Sequence, residues 1–228
     1  MVYILFIAIT IISYLVQHSL QSKFKIYSQE SLDVPLTGRD VAAKFLHDSG
    51  ISNVNVTNVS GQLTDHYNPA NGTVNLSDVV FSVNSVASAA VAAHECGHAV
   101  QHATAYQWLT MRSRMVPMVQ FGSQWAQWIL LAGIVLYGFS ALVGRWVLLV
   151  GIVLFGLTTL FSVITLPVEY NASERAVAWL DQTGITSGKE TTMAKDALKW
   201  AARTYLVAAL SSLATLLYYL MIILGNRR

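Results

Sequence analysis

A single cysteine, Cys96, leaves no intrachain disulfide to form and excludes a zinc site built from several thiolates. Charge is scarce as well: 11% of the 228 residues are Asp, Glu, Lys or Arg, against 54% hydrophobic. The formal net charge of +2 is too small to suggest a nucleic-acid partner, and no Lys/Arg run exceeds two residues. Such a composition suits a chain living partly in lipid better than a soluble domain of equal length.

What the sequence does have is long charge-free runs. Met1–Leu20, Trp125–Gly144, Trp146–Val168 and Tyr205–Leu224 each approach the roughly 20 apolar residues that a helix needs to cross the hydrocarbon core. The first has no basic n-region and no small-residue cleavage site, so it reads as a retained anchor. The second and third are separated only by Gly144 and Arg145, which predicts a helical hairpin with its bend at that pair. Trp125, Trp128, Trp146, Tyr205, Tyr218 and Tyr219 lie near segment ends, where amphipathic rings favour the headgroup layer.

This divides the chain into an anchor (1–20), a polar domain (21–124), the hairpin (125–168), a second polar stretch (169–204) and a final span with its tail (205–228). Because the hairpin crosses twice, both polar stretches emerge on one side. That side carries 11 of the 14 Lys/Arg residues, including Lys23, Lys25, Arg112, Arg114 and Arg203 near spans; Arg145, Arg227 and Arg228 lie on the other. The positive-inside rule therefore predicts a multi-pass protein of the cell membrane with its polar domain in the cytoplasm.

Within the polar domain, Thr37 and Asp40 form a capping-box start to a helix whose apolar face is Val41, Ala42, Phe45 and Leu46, ended by Gly50. Residues 54–59 alternate as a strand, and 63–77 read as a hairpin turning at Asn68, Pro69, Asn71 and Gly72. An alanine-rich helix follows, whose small residues let neighbouring backbones approach closely. After Pro167, a separate helix is expected over 169–182, closed by Gly184, and another over roughly 190–204.

The alanine-rich helix contains His94-Glu95-Cys96-Gly97-His98, an H-E-x-x-H match. Residues four apart on a helix lie on one face, so both imidazoles can converge on one ion, and the glutamate can take a proton from water activated there. With two imidazoles, Zn2+ is the expected cofactor, and Glu95 the expected general base. A chance match in this composition is expected only roughly three times in a thousand. The fold expected is an α-helical membrane protein with about four transmembrane helices and a small α+β zincin-like domain carrying the H-E-x-x-H helix.

His102 is a third histidine, eight residues beyond His94 and about 12 Å along a straight helix, too far to share the ion. The metzincin pattern is also absent, because Gln101 stands at its glycine and Thr104–Ala105 where its distal histidine falls. Cys96 points away from His94 and reads as a buried small side chain. The third ligand must come from elsewhere, with Asp65, His66, Asp78, Glu169, Glu174 and Asp181 as candidates. Glu169 stands out at the mouth of the third span, on a helix that can pack against the first; Glu174 reads as a solvated charge.

"AAHECGHAVQH", the preceding "LTDHYNP" and the later "LPVEYNASERA" resemble the YugP-type membrane proteins, a family of neutral zinc metallopeptidases, over nearly the whole chain. A wider resemblance is to gluzincin membrane proteases of the HtpX kind, where H-E-x-x-H is followed beyond a hairpin by E-Y-x-A-D. The resemblance implies that Glu169 is the third ligand, with Tyr170 and Ala172 also matching. Ser173 departs from the pattern: it stands where an aspartate orients a ligand histidine, a task open to its hydroxyl or to Asn171. The resemblance further implies a substrate held in extended form against an edge strand, for which 72–77 is the candidate. His66 and Tyr67 are candidates to donate to the developing oxyanion, with ordinary strand or turn residues as the plainer reading.

The leading expectation is a membrane-anchored zinc endopeptidase acting on membrane or membrane-proximal proteins. Its partners would be the bilayer, a peptide or protein substrate, and a membrane-protein partner or second copy. A site-2 type intramembrane protease fits less well, since no Asp-Gly occurs in the chain. The non-enzymatic alternative is a membrane scaffold or partner-binding protein with a structural zinc. Glu95 discriminates, because a structural site has no use for a general base.

Overall fold

The computed structural model describes residues 2–225, with side chains from residue 4 onward. The fold is mostly helical, with seven α-helices and one three-stranded sheet among the described residues. Two compact units form. One comprises the chain up to Ser13, Thr110–Leu166 and the chain from Tyr205; the other comprises Tyr14–Leu109 and Pro167–Thr204.

In the apolar unit, helix α5 (Gln107–Phe139) is followed by α6 (Ala141–Gln182) after one non-helical residue. The bend thus falls at Ser140, not at Gly144–Arg145 as the apolar pattern predicts. Ser140 closes α5 by donating its N–H to Leu136 O (2.8 Å), and its hydroxyl accepts from Val143 N at 3.5 Å, the N-cap bond that glycine cannot make. Gly144 serves differently: a Cβ there would collide with the Tyr137 backbone, so the glycine lets α6 start against the end of α5. Leu130, Leu148, Ile152 and Ile223 form this unit's buried cluster.

Among the described residues, three helices are long and apolar enough to cross a membrane: α1 (Val2–Tyr27), α6 and α7 (Lys189–Gly225). The fourth expected span is not among them. From Trp125 to its end at Phe139, α5 offers only 15 residues, about 22 Å against a hydrocarbon core of about 30 Å; Gln127 dilutes that stretch, and Gln120 and Gln124 dilute the turns before it. The separate helix expected after Pro167 is also revised. Pro167 lies inside one continuous α6, where its ring removes only the N–H that would close on Val163 O.

In the polar unit, Thr37 and Asp40 form the expected capping box at the start of α2 (Gly38–Asp48). The sheet contains β1 (Asn55–Val59), β2 (His66–Asn68) and β3 (Thr73–Ser77) in the order β1-β3-β2. β1 runs parallel to β3, while β2 and β3 form the antiparallel hairpin, with Tyr67 opposite Val74. The candidate substrate strand, 72–77, is therefore central and paired on both sides, so it offers no free edge; β2 and β1 are the edges. A short α3 (Asp78–Ser82) leads to α4 (Val86–Ala103), the H-E-x-x-H helix. Its buried Ala89, Ala90, Ala93 and Cys96 pack with Val41, Phe45, Val74, Leu76, Ala176 and Leu180 in one core.

Candidate metal centre

The site is assembled where α4 and α6 nearly touch. A Cβ on Gly97 would lie 2.7 Å from Ala172 O and 3.2 Å from Ala172 Cα, so only glycine permits this approach. The four-residue spacing then stacks His94 and His98 edge to face, with ring centroids 4.8 Å apart. Across the gap, Glu169 Oε2 lies 3.3 Å from His94 Nε2 and 3.6 Å from His98 Nε2. One ligand atom from each of the three residues lies within 4.8 Å of the others, and His98 and Glu169 are buried. Two imidazoles and a carboxylate, converging and mostly sheltered from water, suit a borderline-soft divalent cation such as zinc.

Each imidazole is held from behind. Ser173 Oγ lies 3.1 Å from His94 Nδ1, and Gln101 Oε1 lies 3.0 Å from His98 Nδ1. Burial works to lower the His98 pKa, but the Glu169 carboxylate against it, the Glu95 charge and Gln101 outweigh burial and raise it. Glu95 is buried beside the first histidine, and its Oε2 accepts the Tyr67 backbone N–H at 2.9 Å. Strand β2 thus aims the proposed base.

The remaining candidates are placed elsewhere. His66 is exposed, with Nδ1 2.8 Å from Thr64 O and Nε2 3.2 Å from Asn75 Nδ2. The Tyr67 phenol lies 3.1 Å from His102 Nδ1, so His102 sits behind a candidate donor and outside the cluster. Asp65 accepts from Ser77 N and Oγ, Asp181 accepts from Thr191, and Asp78 and Glu174 are exposed. The Cys96 thiol is fully buried, and burial, helped by the Glu95 charge, pushes its pKa well up. Sequence reasoning missed the part played by Gln101, whose spacing of three from His98 was the available signal.

Residues 2–224 match the family described as "Putative neutral zinc metallopeptidase". The chain belongs to that family. It is 39% identical to the "Putative membrane protease YugP" of Bacillus subtilis over 227 residues, covering 98% of each chain. No solved structure matches. The family description fits the donor set that α4 and α6 bring together, and the relative's name fits the three apolar helices.

Proposed function

We propose that this chain is a membrane-anchored zinc metalloendopeptidase, with His94, His98 and Glu169 as the metal ligands and Glu95 as general base. The observation that carries the reading is the buried Glu95 carboxylate, held by Tyr67 N–H beside a converging His-His-Glu set. A structural metal site has no need of that carboxylate. When bound, zinc supplies a Lewis acid that polarises a carbonyl and makes water nucleophilic near neutral pH. Glu95 takes the proton of the attacking water and passes it to the leaving amine, and the Tyr67 N–H keeps the carboxylate oriented for both transfers. Ser173 and Gln101 hold the two imidazoles in place.

Because Tyr67 N–H leaves the sheet on the Glu95 side, the outer edge of β2 faces the base. A substrate in extended form would pair along that edge through the backbone groups other than the Tyr67 N–H, by hydrogen bonds that demand little of its sequence. The two oxyanion candidates are the Tyr67 phenol, which rests against His102, and the His66 ring, which is held by Thr64 and Asn75. Membrane or membrane-proximal substrates follow from α6, which carries Glu169 and is continuous with an apolar segment. The excess of Lys and Arg on the polar stretches supports a cytoplasmic site.

The test compares wild type with Glu95→Gln and Glu169→Gln for bound zinc and for cleavage of casein or of the chain itself. Glu95→Gln is expected to keep its zinc and lose cleavage; Glu169→Gln is expected to lose zinc. Equal cleavage by wild type and Glu95→Gln, or none by either, would overturn the enzyme reading in favour of a zinc-fixed scaffold.

A further inference from the structure

Gln101 lies on α4 one turn beyond His98 and has no exposed surface. Its Oε1 is 3.0 Å from His98 Nδ1, and its Nε2 is 2.8 Å from Val168 O and 3.0 Å from Asn171 Oδ1. The sense of each bond follows from groups that can play only one role. A guanidinium only donates, and Arg175 Nε lies 2.8 Å from Asn171, so the Asn171 atom shared with Gln101 is its carbonyl oxygen. Gln101 must then present its NH2 to that oxygen. Val168 demands the same independently, because a backbone carbonyl only accepts.

With its NH2 committed twice, the amide has only its oxygen to offer His98. An oxygen acceptor 3.0 Å from Nδ1 draws the neutral ring's proton there rather than to Nε2, whose facing carboxylate oxygen, Glu169 Oε2, lies farther off at 3.6 Å, and so leaves the lone pair on Nε2. We propose that Gln101 is a positioning residue, the last member of an Arg175–Asn171–Gln101 hydrogen-bond relay that holds neutral His98 in the Nδ1–H tautomer and so presents Nε2 to a divalent cation. The proposal rests on the zinc reading only for the identity of that cation. The relay also ties the H-E-x-x-H helix to α6, so the tautomer depends on contacts made 67 and 70 positions along the chain from Gln101. Upstream, the Arg175 guanidinium lies over the Tyr106 ring, 5.9 Å from its centroid.

The test uses the full chain in detergent with 15N-labelled histidine, and compares wild type, Gln101→Met, Asn171→Asp and Asn171→Leu. Two readouts are taken: the ring-nitrogen shifts of His98 in zinc-free protein at a pH where the ring is neutral, and zinc affinity by chelator competition. Wild type is expected to show the Nδ1–H tautomer alone. Gln101→Met is expected to mix tautomers and weaken zinc about tenfold or more. Asn171→Asp keeps an acceptor toward both Arg175 and Gln101 and should retain the wild-type tautomer and affinity, while Asn171→Leu should behave like Gln101→Met. Wild type protonated at Nε2, or a folded Gln101→Met with the wild-type tautomer and affinity, overturns the relay. If Gln101→Met does not fold, the Asn171 pair decides, and equal behaviour of Asp and Leu there overturns it too. A wild type that binds no zinc defeats the metal reading but leaves the tautomer measurement to judge the relay.

Discussion

Each imidazole of the cluster turns one nitrogen toward Glu169 and rests the other on a neutral oxygen, Ser173 for His94 and Gln101 for His98. Such supports typically change metal affinity by about 10–100-fold when removed. Ser173→Ala is expected to weaken zinc by about tenfold in chelator competition, and Ser173→Asp to recover the loss by making His94 more basic. Protons compete for the same atoms. Without metal, the raised His98 pKa means that its ion pair with Glu169 stabilises the fold fully below about pH 6.5 and is lost as pH rises through the folded-state value. With zinc the sign reverses, because binding requires the neutral ring. Thermal unfolding in detergent is therefore expected to show the zinc-free midpoint falling above about pH 6.5 while the added stability from zinc grows. At this scale the convergence of the two histidines was legible from spacing alone, because a helix repeats at known intervals. Glu169 stood out by its place at the end of an apolar run and was singled out further by the family resemblance, Ser173 came from that resemblance alone, and Gln101 was missed because two of its three partners lie on another element.

Among elements, the α4–α6 contact decides whether the proposed ligands meet. Gly97→Ala would place a methyl 2.7 Å from Ala172 O, backbone against backbone, where no flexible side chain can give way. Overpacking of this kind costs about 1–3 kcal/mol. Gly97→Ala is expected to lower the thermal midpoint and weaken zinc together, whereas Ser173→Ala should weaken zinc with little change in zinc-free stability. Both effects are read on the same detergent-solubilised protein. Local signals located α2, the β2–β3 hairpin and α4 well, because caps and turn residues act within a few positions. They failed where distant pairing decides the outcome. Strand β3 looked like an edge until the parallel pairing of β1 enclosed it, and that pairing has no signature in the local alternation of 72–77. Pro167 looked like a boundary, yet α6 runs on through it.

For the whole molecule, apolar runs picked out the three helices that are long and apolar enough to cross a membrane, while the fourth run, 125–144, straddles a helix end at Ser140. The buried thiol of Cys96 provides a silent background for mapping sides. A Gln62→Cys chain is expected to react with a membrane-impermeant maleimide only in inverted vesicles, and a Ser140→Cys chain only in intact cells; the reverse pattern would place the site outside. The order of residues along the chain has a consequence for synthesis. His94 and His98 leave the ribosome early, while Glu169 follows about 70 residues later, after the intervening apolar hairpin. A nascent chain arrested between them holds a two-ligand site with no third partner. The centre can come into being only once that hairpin has been made and the start of the second polar stretch has returned to α4. Biogenesis would therefore act as a safety catch: the proposed peptidase would stay disarmed while its own apolar segments are still being delivered.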